Sequence, residues 1–178
     1  MREVLISIQP KWVEKICRKE KTVEVRKTKP KLETPFKVYI YETQGRTETP
    51  FVDEEGHHIF KGRGKVIGEF VCDRIVEFSV PYPAYFGEID SNTESIIKSA
   101  CLKPMDIHAY NGTHQTYGWH ITDLIVYDEP RELSEFMLYN VRTYIDEKSG
   151  LPMPTHEIAR PFWSWGYVKA KEPRQTAD

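Results

Sequence analysis

Cysteine is scarce: Cys17, Cys72 and Cys101 are the only three, and no two form a CxxC pair. An odd number at long spacings supports no disulfide framework and offers no zinc-ligand pattern. All three read as small buried hydrophobes in a reducing compartment. Long apolar runs are missing too. Nothing approaches the roughly 18 consecutive apolar residues of a membrane span, and the opening MREVLISIQPKW has no apolar targeting core, so a cytoplasmic, membrane-free protein is expected. Neither charge sign dominates: 25 Lys and Arg face 27 Asp and Glu, a net −2. That excludes a global basic field that would coat nucleic acid regardless of sequence, and leaves a local basic groove open. The six histidines are scattered without HxxxH or Cys/His spacing, and no G-x-S-x-G occurs. No metal, no other cofactor and no nucleophilic serine is therefore expected.

What is present suffices for one folded domain. Hydrophobic residues make up 39% of the chain and aromatics 12%, so Trp and Tyr can supply much of a core. The run at 4–8 reads as a buried strand. Pro10 is placed to open a helix whose apolar stripe is Trp12, Val13, Ile16 and Cys17. Phe36, Val38 and Ile40 share one strand face, and Lys37, Tyr39 and Tyr41 the other. Residues 44–63 read as an inserted hairpin, with strands at 51–52 and 59–60 around an Asp53-Glu54-Glu55-Gly56 turn. Residues 65–78 read as the longest strand and 119–127 as another, stopped by Asp128-Glu129-Pro130. Ser91-Asn92-Thr93-Glu94 has the form of a capping box. It opens a helix with Ile96, Ile97, Ala100 and Cys101 inside. Helical turns follow at 105–110 and at Leu133 to Phe136. Residues 140–160 are polar and irregular, a long loop. An aromatic strand at 160–168 closes the domain, and 171–178 form a flexible tail. The sum is a single α+β domain over 1–170, a small β-barrel of about six strands with two or three short helices.

The stretch 19–27, KEKTVEVRK, organises the chemistry. Val23 and Val25 alternate with Thr22, Glu24 and Arg26, the period of a half-buried strand. The valines can face a core, while the other three line the second face about 6.6 Å apart. Lys21 stands at the corner after the helix. A carboxylate and a guanidinium two residues apart can pair, or can jointly present an acceptor and donors to a ligand. The plainer reading is a solvated strand face with a weak surface ion pair, and spacing alone favours it. Glu69, between Gly68 and Phe70, sits in an apolar run and must meet a cation, with Arg26 or Lys21 as candidates, or hold its proton more tightly. Lys61-Gly62-Arg63-Gly64-Lys65 can approach a phosphate through its backbone, or be a plain turn.

Lys19-x-Lys21-x-x-Glu24-x-Arg26, behind a short helix and the strand at 5–8, resembles the Gly-x-Lys-x-x-Glu-x-Arg signature of ASCH domains, with Lys19 in the place of the glycine. Gly64-Lys65-Val66-Ile67-Gly68-Glu69-Phe70 looks like the family's central strand. Tyr117-Gly118-Trp119-His120-Ile121, Leu133-Ser134-Glu135-Phe136, and Arg160-Pro161 through Trp165-x-Tyr167 are similar to the phage-type subgroup. Some relatives carry a cysteine-rich segment where this chain has 140–160 without cysteine. The resemblance spans most of the chain outside 44–63 and the tail. It implies a PUA-like β-barrel with a cleft beside the first helix, lined by Lys21, Glu24 and Arg26. It also implies RNA binding, at times of modified bases. A few members resemble enzymes, namely a ribonuclease and an amidohydrolase acting on acetylated cytidine.

Three roles follow. In a nucleic-acid-binding module Lys21 and Arg26, with Lys61, Arg63 and Lys65, would meet phosphates, and Glu24 would read the amino edge of a base. Tyr41, Trp119, Trp163 or Trp165 would stack on a splayed base, with Thr22 and Glu69 completing the site. For each tryptophan a core position is the plainer reading. In a hydrolase acting on RNA or a modified nucleoside, Lys21 would activate water or a hydroxyl, with Glu24 or Glu69 as general acid and base. The amidohydrolase branch carries threonine where Glu24 stands, so deacetylation of N4-acetylcytidine is not expected. In a regulatory module the cleft would read a small ligand and the aromatic C-terminal strand would meet a protein partner. Recognition of RNA or a nucleotide by a monomer is the reading these residues favour.

Overall fold

The apolar run at 4–8 forms a strand and Pro10 opens a helix directly after it, as their spacing requires. The structure, a computed structural model, describes residues 2–44, 63–81 and 89–171, and the backbone of 51–52 and 58–59. In chain order its elements are β1 (Glu3–Ile8), α1 (Pro10–Cys17), β2 (Val23–Arg26), β3 (Phe36–Glu42), β4 (Phe51–Val52), β5 (His58–Ile59), β6 (Val66–Cys72), β7 (Ile75–Phe78), α2 (Ser91–Ser99), α3 (Pro104–Asn111), β8 (Thr116–His120), β9 (Thr122–Arg131), β10 (Phe136–Ile145), β11 (Pro152–Glu157) and β12 (Trp165–Ala170). A 3-10 turn, Leu133–Glu135, precedes β10.

The strands pair in a seven-stranded sheet of order β11-β10-β12-β1-β3-β6-β9, a three-stranded sheet of order β2-β8-β7, and the ribbon β4-β5. The described residues are thus mixed α+β with three α-helices. They hold twelve strands rather than six, and their pairing is open rather than a closed barrel. The expected hairpin at 51–60 is present one residue earlier on its second strand, with Phe51 opposite Ile59. Its turn at 53–57, and the tail beyond Lys171, lie outside the described residues.

The extra strands have local causes. The run 65–78 breaks at Asp73-Arg74 into β6 and β7, which enter different sheets. The corner is held by His120 N–H donating to the Arg74 carbonyl at 3.1 Å, and by the Cys72 thiol donating to it at 3.4 Å. The run 119–127 breaks at Ile121, and Asp123 takes a φ of 47°, a left-handed conformation that Asp tolerates. Pro130 does not stop β9, which continues to Arg131. An end strand of the sheet tolerates a residue without an N–H. Residues 140–160 are not a loop: β10 and β11 pair antiparallel, with Thr143 opposite Pro154 and Ile145 opposite Pro152. Their turn is tied by Asp146, whose carboxylate accepts from the Ser149 N–H and hydroxyl. The N-cap of α2 is Asp90, one residue before Ser91. Its carboxylate accepts from the N–H groups of Asn92 and Thr93.

The chain divides into two compact units. One comprises Met1–Pro10, Val38–Gly68 and Val126–Asp178. Its core gathers Leu5, Tyr39, Tyr41, Phe136, Leu138 and Val168, with the Tyr39 ring edge-on to Phe136 at 4.8 Å between centroids. The other comprises Lys11–Lys37 and Glu69–Ile125 and carries the motif strand β2. Its core sets Ile96, Ile97 and Ala100 of the α2 segment, and Ile107 of α3, against Val23, Val25, Phe78 and Val80. Each fully buried Val or Ile there contributes about 1.5–3 kcal/mol. Gly118 of β8 stands opposite Val25 and Val76 in the ladder. A methyl at 118 would lie 3.0 Å from Val23 Cγ1 and 3.2 Å from Ile96 Cγ2, so the missing side chain lets α2 sit close on the sheet.

Candidate functional site

The turn between α1 and β2 builds the site. Lys19 N–H donates to the Ile16 carbonyl and Glu20 N–H to the Lys15 carbonyl, both at 2.9 Å, the Schellman closure of a helix. That closure needs a left-handed residue, and Lys19 supplies it at φ 61°. This is the position at which the ASCH pattern carries glycine, so the pattern's glycine has a conformational reason. The end of α2 closes the same way around Cys101, at φ 54°, through bonds from Cys101 to Lys98 and from Leu102 to Ile97. The two ends are joined: Thr22 N–H donates to the Ser99 carbonyl at 2.9 Å, and the Cys101 thiol to the Glu20 carbonyl at 3.4 Å.

Lys21 completes the junction. Its Nζ donates to the Ala100 carbonyl at 2.8 Å, placing an ammonium at the negative end of the α2 dipole. The same Nζ lies 3.4 Å from Glu24 Oε2 and 5.2 Å from the centroid of the Trp12 ring. A carbonyl, a carboxylate and a ring face are partners for a donor cation.

Residues directly opposite in an antiparallel ladder share a face. Val25 faces with Gly118, toward the apolar core, and Glu24 with Trp119, toward the other side. Arg26 Nη2 lies 3.0 Å from Glu24 Oε1, so each oxygen of Glu24 has a cation beside it. Lys21, Glu24 and Arg26 are only 2%, 6% and 7% exposed. Both faces of β2 are therefore covered, and the solvated strand face that spacing favours does not form. Tyr110 of α3 belongs to the same neighbourhood. Burial pushes its hydroxyl pKa up, Arg26 pulls it down and Glu24 pushes it up again, for a net rise. The Lys27 ammonium lies 4.7 Å from the centroid of the Tyr110 ring.

The remaining candidates are distributed as follows. Thr22 is half-buried at the start of β2. Glu69 meets a cation, Lys37 Nζ at 2.7 Å. Trp119 has no exposed surface and sets its ring edge-to-face with Phe36 at 5.9 Å, a core position. Tyr41, Lys65 and Trp163 belong to the other unit. Tyr41 is buried in its core, Lys65 pairs with Glu132 at 2.6 Å, and Trp163 is 96% exposed. Arg63 lies 3.9 Å from Glu42, while Lys61 and Gly62 are outside the described residues. Sequence reasoning missed Trp12, Tyr110 and the Ala100 carbonyl as neighbours of the charged trio. Trp12 was visible only as part of a helix stripe, and Tyr110 only as the end of the helical turn at 105–110. Among the described residues no three His, Cys, Asp or Glu side chains gather as metal ligands, and no helix is long and apolar enough to cross a membrane.

This architecture is the fold of ASCH proteins. The chain is similar to the crystal structure of ASCH from Zymomonas mobilis, at 22% identity over 74% of this chain and 73% of that one, with a TM-score of 0.52. Two point variants of the Zymomonas mobilis protein align at 20% and 21% identity over 74% of this chain and 76% and 74% of theirs, each with a TM-score of 0.49. No protein-family model and no curated protein sequence matches this chain.

Proposed function

We propose that the chain is an ASCH-type module of the phage-type subgroup that recognises RNA or a modified nucleotide through Lys21, Glu24 and Arg26. The observation that carries this reading is the burial of the trio, none of the three being more than 7% exposed. Replacing a buried ionic set by apolar residues is often neutral or stabilising, so stability alone gives little reason to keep two cations around one carboxylate. Their chemistry suits a nucleotide. Guanidinium and ammonium donate to phosphate or base carbonyl oxygens, and a carboxylate accepts from an exocyclic amino group. In this reading Trp119 backs Glu24 from the neighbouring strand rather than stacking on a base. Thr22 and Glu69 belong to the same unit as the trio, while Tyr41, Lys65 and Trp163 belong to the other and take no part in this reading. Residues 1–170 act as one PUA-like domain, a monomer in the cytoplasm, with 44–63 as an inserted hairpin.

The test compares wild type with Glu24→Gln and Arg26→Gln against a pool of short RNA and DNA oligonucleotides and modified nucleosides. Arg26→Gln is expected to weaken RNA binding about tenfold and to lower the salt slope by about one. Unchanged affinity and unchanged salt dependence in both variants would sink the reading. A hydrolase is the second reading, carried by the 3.4 Å approach of Lys21 Nζ to Glu24. Cleavage of the pool that disappears in Lys21→Ala would put it first. N4-acetylcytidine is expected to survive.

A further inference from the structure

α2 presents a second surface. Ile96 and Ile97 pack on the sheet, while Asn92, Ser95 and Ser99 follow one another at helical spacing and line a cavity of about 150 Å³. Arg74, His120 and Thr22 line it as well, and Val23, Val76, Ile96 and Gly118 supply its apolar surface. The cavity lies on the side of the three-stranded sheet that Val23 and Gly118 share, opposite the side that carries Glu24 and Arg26.

The cationic wall is built rather than adventitious. The Asp73-Arg74 corner between β6 and β7 is tied to His120 twice. His120 N–H donates to the Arg74 carbonyl at 3.1 Å, and His120 Nδ1 lies 2.6 Å from Asp73 Oδ1. Asp73 Oδ2 also lies 3.5 Å from Arg74 Nη1. Burial pushes the Asp73 carboxyl pKa up, but the hydrogen bond and charge of His120 and the charge of Arg74 outweigh it and hold the group below the usual carboxylate range. Burial pushes the Cys72 thiol up to about 12, so it stays a thiol and donates to the same corner. With Nδ1 committed to Asp73, Nε2 is the nitrogen His120 has left for a ligand. Among the described residues, neither Asp73 nor any other carboxylate lines the cavity.

We propose that this cavity binds a phosphomonoester, with the phosphate on Arg74, on Nε2–H of a His120 imidazolium and on the Ser95 and Ser99 hydroxyls. A guanidinium, an imidazolium, two hydroxyls and an amide, with no carboxylate among the described lining residues, are a donor set for a tetrahedral oxyanion. The volume is on the scale of cavities that take one benzene-sized molecule, which is room for the phosphate group, with Val23, Val76 and Ile96 as the apolar surface beside it.

Histidine side-chain NMR on the full chain reads the site, with ribose 5-phosphate, ribose and inorganic phosphate titrated in turn. Ribose 5-phosphate is expected to shift the His120 ring resonances saturably. Ribose should leave them in place, and inorganic phosphate should bind more weakly. Arg74 is 60% exposed, so Arg74→Ala should fold, and it is expected to weaken ribose 5-phosphate about tenfold or more. Ser95→Asp, which puts a carboxylate into the cavity, should do the same. Arg18→Ala, at an exposed arginine paired with Glu14, should leave binding unchanged. Equal responses to ribose and ribose 5-phosphate, no saturable response to either, or full affinity in both cavity variants overturns the proposal. Inorganic phosphate binding as tightly as ribose 5-phosphate overturns the assignment to a phosphomonoester.

Discussion

β2 and the far half of β10 are written in similar letters. Val23-Glu24-Val25-Arg26 alternates apolar with charged residues. Val141, Thr143 and Ile145 alternate with Arg142 and Tyr144. Every residue of β2 is buried, yet every residue of β10 from Tyr139 onward is exposed, Val141 at 53% and Ile145 at 63%. Alternation says which side chains share a face; it does not say whether either face is covered. In β2 the valines meet the apolar residues of α2 and α3, and Glu24 stands beside Trp119. From Arg142 onward β10 pairs with β11, an end strand carrying Pro152 and Pro154, and this ribbon is exposed on both faces. The same ionic residues therefore have different weights. Arg142 is a surface cation, while Arg26 is a fixed part of an interior set.

The largest expected effect breaks that interior set. Glu24→Ala leaves Lys21 and Arg26 buried without the carboxylate between them, and should cost about 3–5 kcal/mol in urea unfolding. A cost no larger than a surface pair's, about 1 kcal/mol or less, would mean that water reaches the trio and that β2 is more like β10 than its burial says. Next is Gly118→Ala. The new methyl would meet Val23 and Ile96 at 3.0 and 3.2 Å, and overpacking of this kind costs about 1–3 kcal/mol. A neutral outcome would show that α2 can lift from the sheet without loss.

How much of this could be read from the letters depends on how far apart the partners lie. The opening strand, the helix at Pro10 and the strand at Val23 came from spacing within a few residues, and so did the hairpin near Phe51. The break at Asp73-Arg74 did not, because its cause is His120, 47 residues away. Nor did the ribbon at 139–157: Val141, Thr143 and Ile145 alternate there, but no apolar partner covers either face, and Pro152 and Pro154 read as loop. The charged trio was legible as a set. Its burial was not, because the carbonyl that takes Lys21 is 79 residues on, at Ala100. Glu69 in its apolar run announced a need for a cation, but not that Lys37 would be one. The glycine missing from the motif was legible as a departure, and the fold explains it, since Lys19 adopts the left-handed conformation that glycine would take freely.

That departure is the third test. Lys19→Gly removes the strain of a side chain at φ 61° and should stabilise the chain by about 0.5–1 kcal/mol, read again by urea unfolding. Destabilisation would mean that the Lys19 side chain holds the turn before β2 by contacts of its own.

The smallest effect returns to the two regions through a pair of aspartates. At the start of α2 the Asp90 carboxyl is held below the usual range, first by the Thr93 hydroxyl at 2.6 Å and then by the Thr93 N–H. In the turn of the β10–β11 ribbon, Asp146 is held low in the same way by the Ser149 hydroxyl and N–H. A carboxyl whose pKa is lower folded than unfolded contributes stability that is present above its unfolded value, near pH 4. That stability is lost as pH falls through the folded value. The sign is the same for both groups, but the structures they hold are not. α2 carries Ile96 and Ile97 into a core, so its cap is lost only when that core is lost. The ribbon turn can open while the rest of the chain stays folded. Asp90→Asn should therefore flatten the acid limb of global stability, followed by urea midpoints from neutral pH down to pH ~3, and Asp146→Asn should leave it unchanged. Equal flattening by both would place the ribbon in the same cooperative unit as α2, and its exposed strands would then be held by more than their own pairing.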